Sequence, residues 1–152
     1  MKQVETRVTT PRSPEDVYAY LADFNNQAEW RFDVISSELS SGDPGAVGSH
    51  YRQLVQQGRK QVTSEVEVTE AEPHRRVAFR TLGGPVTVSG VWKLEPDDGG
   101  ARVDTEVAIE MHGFLKLFEP FSGGQLRKTA ARYEAALAER LGGTADKEDP
   151  KP

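Results

Sequence analysis

An α+β fold with its long helix at the C-terminal end follows from three features of the sequence. Between Gln3 and Met111, stretch after stretch alternates apolar and polar residues with the period of two of half-buried strands. Residues 126–141 instead repeat apolar side chains every three or four positions, the spacing of one helical face. Short clusters of Gly, Pro, Asp and Asn separate the alternating stretches, as turns require. Strands gathered first and a helix placed last describe segregated layers rather than the alternation of a parallel α/β domain. The chain has 152 residues, enough for one domain. That domain is expected over residues 2–141, with 142–152 as a polar, disordered tail.

In residues 3–10, Val4, Thr6 and Val8 alternate with Gln3, Glu5 and Arg7, and Pro11 ends this first strand. Ser13-Pro14-Glu15-Asp16 then places a capping hydroxyl, a proline at the first helical position and two carboxylates in the first turn. Val17, Tyr20, Leu21 and Phe24 continue an apolar stripe that Asn25-Asn26 interrupts before Ala28-Glu29-Trp30, so two short helices are expected. Strands follow at residues 34–39, 49–57, 61–71, 76–81, 86–95 and 102–111. In residues 49–57 the phase is open: either Tyr51, Gln53 and Val55 face inward, or His50, Arg52 and Leu54 do, with the first preferred. Phe114, Leu117, Phe118 and Phe121 form a shorter apolar turn, which Pro120 and Gly123-Gly124 should separate from the long helix.

Composition narrows the function. Nineteen Lys and Arg against 24 Asp and Glu give a net charge of -5, which disfavours nucleic acid as a partner. No run of about 20 apolar residues is present for a membrane-spanning helix. The absence of cysteine removes disulfides, thiolate metal sites and a cysteine nucleophile. The opening MKQVETRV lacks the apolar core of a signal peptide, so a cytoplasmic protein is expected. Three scattered histidines, His50, His74 and His112, make no metal-ligand spacing, and no phosphate-binding or nucleophile motif occurs. No cofactor, metal or catalytic residue is therefore assigned. Glu65, Glu67, Asp104, Glu106 and Glu110 fall on the outer strand faces opposite Arg76, Arg80 and Lys93 and read as solubilising charge.

The order of elements, together with Ser13-Pro14-Glu15-Asp16-Val17-Tyr18, Ala22-Asp23-Phe24, Glu29-Trp30, Val47-Gly48-Ser49, the run from Val68-Thr69-Glu70 through Glu72-Pro73-His74 to Val77, Gly99-Gly100-Ala101-Arg102-Val103 and Gly113-Phe114, resembles the START/Bet v 1-like (SRPBCC) superfamily. The closest likeness is to its bacterial polyketide cyclase/dehydrase-like branch. Ala101 departs from the threonine frequent in relatives, at a turn position. The resemblance implies a helix-grip fold, a curved antiparallel sheet wrapped around the C-terminal helix, with a cavity between them for a lipid-like or aromatic polyketide-like ligand. On that arrangement the residues expected to contact ligand are Trp30, Tyr51, Phe79, Trp92, Val107, Ile109, Met111, Phe114, Phe118, Phe121 and Tyr133. Gly90 and Ser64, on the same inward faces, remove volume and favour a void within the ~300–1,000 Å³ usual for ligand sites. The aromatics of residues 114–121 are expected to gate it. Binding or carriage of a hydrophobic molecule is the leading expectation. A polyketide cyclase/dehydrase-like enzyme, with Tyr51, Arg52, His50 or His112 giving polar contacts, and an interaction module of the co-chaperone or toxin kind are the alternatives. Arg31, next to Trp30, is placed near the cavity mouth.

Overall fold

The first strand, β1 (Lys2–Thr10), does not pair with the strand that follows it in the chain. In the computed structural model, which describes residues 2–83, 86–111 and 123–145, it runs antiparallel to β7 (Gly100–Met111), with Val4 opposite Val107 and Val8 opposite Val103. Side chains of Lys2, Met111 and residues 123–126 are not described. Between these partners come α1 (Pro14–Ala22), a 3₁₀ turn (Phe24–Asn26), α2 (Gln27–Trp30) and the strands β2 (Val34–Ser41), β3 (His50–Gln57), β4 (Lys60–Glu72), β5 (Arg76–Leu82) and β6 (Val86–Asp97). After β7 the described chain resumes with α3 (Gly123–Leu141) and β8 (Thr144–Ala145). The sheet order is β2-β3-β4-β5-β6-β7-β1-β8, antiparallel at every described pair.

Local chemistry explains the connections. The Ser13 hydroxyl accepts the Asp16 N–H at 3.2 Å, which starts α1 as its capping sequence requires. Register shifts in β2 and between Val68 and Glu70 of β4 add bends at the edge and middle of the sheet, where an unpaired residue increases twist and turns the strand inward. The resulting curved sheet grips α3. In β3, Tyr51, Gln53 and Val55 are buried while Arg52 is exposed, the preferred inward phase.

Two expectations need correction at the ends of α3. The helix begins at Gly123, so Gly123-Gly124 form its first turn instead of a break before it. Few intrahelical bonds depend on the first-turn N–H groups, and glycine costs less there than in a helix interior. At the other end Gly142 takes the left-handed conformation (φ 68°), and the Gly143 N–H donates to the Ala138 carbonyl at 2.8 Å. A side chain on Gly143 would collide with the Thr9 carbonyl, so only glycine lets β1 approach this closely. The Thr10 hydroxyl donates to the Leu141 carbonyl at 2.7 Å. Thr144 and Ala145, expected in the polar tail, then pair with Thr9 and Val8 as an eighth strand. Among the described residues no helix is long and apolar enough to cross a membrane.

Candidate functional site

A cavity of about 250 Å³ lies between the concave face of the sheet and α3, just below the expected range. Trp30, Phe79, Trp92, Val107, Ile109 and Tyr133 border it, six of the residues named from sequence. Phe79 and Trp92 stand 5.2 Å apart between ring centroids, and Trp30 meets Trp92 and Tyr133 edge-on at 6.2 and 6.5 Å. Such edge-to-face packing holds the wall by quadrupole complementarity as well as by area.

Tyr51 is not part of this wall. Its side chain is fully buried, its ring lies 5.2 Å from Phe24, and its hydroxyl accepts the Gly45 N–H at 3.0 Å. Inward phase gives the face of a strand; here Phe24 of the 3₁₀ turn packs on Tyr51 and covers that part of the face. The side chain of Met111, the candidate polar contact His112 and residues 114, 118 and 121, with the gate assigned to them, lie outside the described residues. Gly90 also acts otherwise than expected. It pairs with Phe79 across β5 and β6, and a Cβ there would stand 2.5 Å from the Phe79 ring, so the ring occupies the space that glycine leaves. Gly90→Ala is expected to drive the Phe79 ring toward the cavity at a cost of about 1–3 kcal/mol, read as a lower urea midpoint. An unchanged midpoint would mean that the ring has another place to go.

Part of the cavity wall is a hydrogen-bonded polar cluster, and sequence reasoning largely missed it. The Gln27 Oε1 accepts both from Gln53 Nε2 at 2.8 Å and from Arg31 Nη1 at 3.1 Å. Gln53 Nε2 also lies 3.2 Å from the Ser37 hydroxyl. Arg31 Nη2 pairs with Asp33 Oδ2 at 2.9 Å, and its guanidinium carbon sits 5.2 Å from the centre of the Tyr133 ring. Burial pushes the Tyr133 phenol up to about 12; Arg31 acts to lower it and Asp33 to raise it. Arg31, Asp33, Gln53 and Glu134 all border the cavity. Glu134, buried on α3, accepts the Arg7 N–H at 2.6 Å and fastens the helix to β1. Outside the wall, Phe32 stacks on Tyr133 at 4.7 Å and carries the Arg132 guanidinium 3.7 Å from its ring centre. The inward phase of Gln53, an amide between Tyr51 and Val55, and the place of Arg31 near the mouth were the available signals.

Among the described residues, several of the charged groups on the outer strand faces pair with one another. His50 Nε2 lies 3.4 Å from Glu67 Oε2, Arg80 pairs with Glu67 at 3.1 Å, and Lys93 with Glu106 at 2.9 Å. His74 sits in a turn with its ring edge-on to Tyr18 at 5.9 Å. Among the described residues no group of three His, Asp or Glu side chains could hold a metal ion.

Residues 1–143 match the family described as polyketide cyclase / dehydrase and lipid transport. The chain belongs to this family. Its fold is the helix-grip fold of the START and Bet v 1-like proteins. A START superfamily protein from Mycobacterium smegmatis superimposes with a TM-score of 0.72 at 15% identity, covering 92% of this chain and 97% of that one. A conserved protein from Geobacillus kaustophilus gives 0.72 at 18% identity, over 95% and 99% of the two chains. A major latex-like protein from Panax ginseng gives 0.70 at 9% identity, over 92% and 97%. No curated protein sequence matches the chain. At these identities the solved structures carry the fold of this polyketide cyclase/dehydrase family member and nothing about its ligand.

Proposed function

We propose that this chain binds a flat hydrophobic small molecule, lipid-like or polyketide-like, in the cavity between sheet and helix, and holds it without transforming it. The observation that carries this reading is an aromatic-walled void of about 250 Å³ bordered also by the hydrogen-bonded side chains of Arg31, Asp33 and Gln53. A dry apolar cavity of ~150 Å³ is enough to hold benzene, so this one suits a ligand segment of one or two fused rings. Binding is favoured over chemistry because the acids at the wall already have structural work: Asp33 pairs with Arg31, and Glu134 fastens the helix to β1. General acid–base catalysis needs a group held ready for the substrate's proton.

Both tryptophans of the sequence border the cavity, so intrinsic fluorescence reads occupancy. Titration with azulene, a fused bicyclic quencher, is expected to quench the emission saturably. Trp92→Phe should reduce the quenching without abolishing it, because Trp30 remains. Glu106→Gln, which loses only the outer-face pair with Lys93, should leave the affinity unchanged. A response that survives Trp92→Phe in full would place the ligand elsewhere.

A further inference from the structure

The two ends of the molecule carry opposite charge. Glu134 of α3 accepts the Arg7 N–H and the Leu141 carbonyl accepts from Thr10, so the helix runs in the direction of β1 and its first half lies toward the end where β1 starts. Register carried across the sheet from Lys2 through Ile109, Val88 and Leu82 puts the β3–β4 hairpin, closed between Gln57 and Lys60, at that same end. There the Gln56 N–H donates to the Asp33 carbonyl at 2.8 Å, which sets Phe32 beside the hairpin. Arg59 and Lys60 of the hairpin and Arg127, Lys128 and Arg132 of α3 make this end basic. The opposite end has Asp43, Glu72, Asp97 and Asp98 in its connections and Glu15 and Asp16 at the start of α1, against Arg12 and Arg75. A net charge of -5 therefore conceals a segregated distribution.

The cations of the basic end are not used inside the protein. Along the strands Arg7, Arg76, Arg80, Lys93 and Arg102 each pair with a carboxylate. Among the described residues Arg59, Lys60, Arg127, Lys128 and Arg132 pair with none, and the nearby Asp33 is taken by Arg31. Their placement costs the helix stability. Lys128 and Arg132 are like charges one turn apart, and α3 has no acidic residue in its first turn to meet the helix dipole, whereas α1 has two. Between the two clusters lies Phe32, 48% exposed, stacked on Tyr133 and in contact with the Arg132 guanidinium. An exposed aromatic ring among unpaired cations has the composition of a membrane-interface surface, where Lys and Arg meet anionic headgroups and the ring reaches the acyl boundary. A nucleic-acid duplex would engage the cations and leave the ring in water. We propose that this end of the molecule docks on an anionic lipid bilayer, with the five cations on the headgroups and Phe32 at the acyl boundary. This goes beyond the proposed binding role and does not depend on it, although Val55, Gln57 and Ala130 set part of the cavity wall behind the same end.

Co-sedimentation with vesicles of phosphatidylcholine, alone or with about 30% phosphatidylserine, tests this at ~0.15 M salt. Wild-type protein is expected to bind the anionic vesicles at least about tenfold more tightly than the neutral ones and to leave them at about 0.5 M salt. The double substitution Lys128→Gln and Arg132→Gln, at exposed positions, should weaken binding at least about tenfold, since one cation at such a surface is worth about fivefold. Arg59→Gln with Lys60→Gln, on the hairpin, should do the same without touching the helix. Phe32→Ser should also weaken it. Arg76→Gln with Arg80→Gln removes the same charge from the outer sheet face and should change nothing. Urea midpoints confirm that each variant is folded. Equal binding to the two kinds of vesicle, or to neither, would overturn the proposal. So would a loss in the Arg76 and Arg80 variant as large as in the Lys128 and Arg132 variant, because net charge and not its place would then decide. Loss in the cation variants with none in Phe32→Ser, or tighter binding to duplex DNA than to the anionic vesicles, would give the cations to polyanions at large and overturn the bilayer as partner. Azulene quenching in free solution involves no vesicle, so the cavity's binding role stands or fails separately.

Discussion

Phe24→Ala should destabilise the protein by about 3–5 kcal/mol, the range for removing a fully buried phenylalanine without room to collapse. The ring is completely buried and lies 5.2 Å from Tyr51, 5.8 Å from Trp92 and 6.0 Å from Phe79, so three aromatic side chains lose a common neighbour. Its placement is over-determined. The Asp23 side chain accepts the Asn25 N–H at 3.1 Å, and the Asn26 amide donates to the Tyr20 carbonyl at 3.0 Å, which fixes the 3₁₀ turn that delivers Phe24. Relaxation of that turn to refill the space is therefore opposed by two side-chain bonds, and the cavity penalty should be felt nearly in full. Urea unfolding followed by near-ultraviolet circular dichroism measures the loss and reports whether Tyr51, Phe79 and Trp92 keep their fixed environment. A loss below about 1 kcal/mol would mean that this cluster does not anchor the helices to the sheet.

How much of this was legible in the sequence depends on the range of the interaction concerned. Alternation in β7 sets Val103, Thr105, Val107 and Ile109 on one face, and the structure places three of them, Thr105, Val107 and Ile109, at the cavity. The cap at Ser13 is equally local and equally readable. Position along a strand is not local. Tyr51 and Gln53 share a face, but the turn carrying Phe24 covers the first, whereas the second reaches Gln27 and the cavity. Asp33 looks like an ordinary loop charge, and Arg31, placed near the cavity mouth from the sequence, gains its partners only when α3 brings Tyr133 against it and Gln27 takes a share of the guanidinium. β8 escaped notice because two residues cannot show a period; only the close approach at Gly143 puts them beside β1.

Ser64→Phe should abolish binding of a bicyclic ligand while leaving the fold intact, a loss of at least about a hundredfold if the side chain and ligand compete for one space. Ser64 sits opposite Gln53 in the β3–β4 pair and borders the cavity with Val66 of the same strand. A benzyl group needs about the volume of benzene, which a ~150 Å³ cavity accommodates, so about 250 Å³ receives it without forcing its neighbours aside. The usual cost of overpacking a core, about 1–3 kcal/mol, should therefore not appear. Burying the added apolar surface in a void should instead raise stability, by up to about 2 kcal/mol. The combination separates two origins of lost binding. A variant that binds poorly because it is misfolded unfolds at lower urea; one that binds poorly because its cavity is full unfolds at equal or higher urea. Unimpaired azulene binding in a stabilised Ser64→Phe protein would place the ligand site outside the cavity.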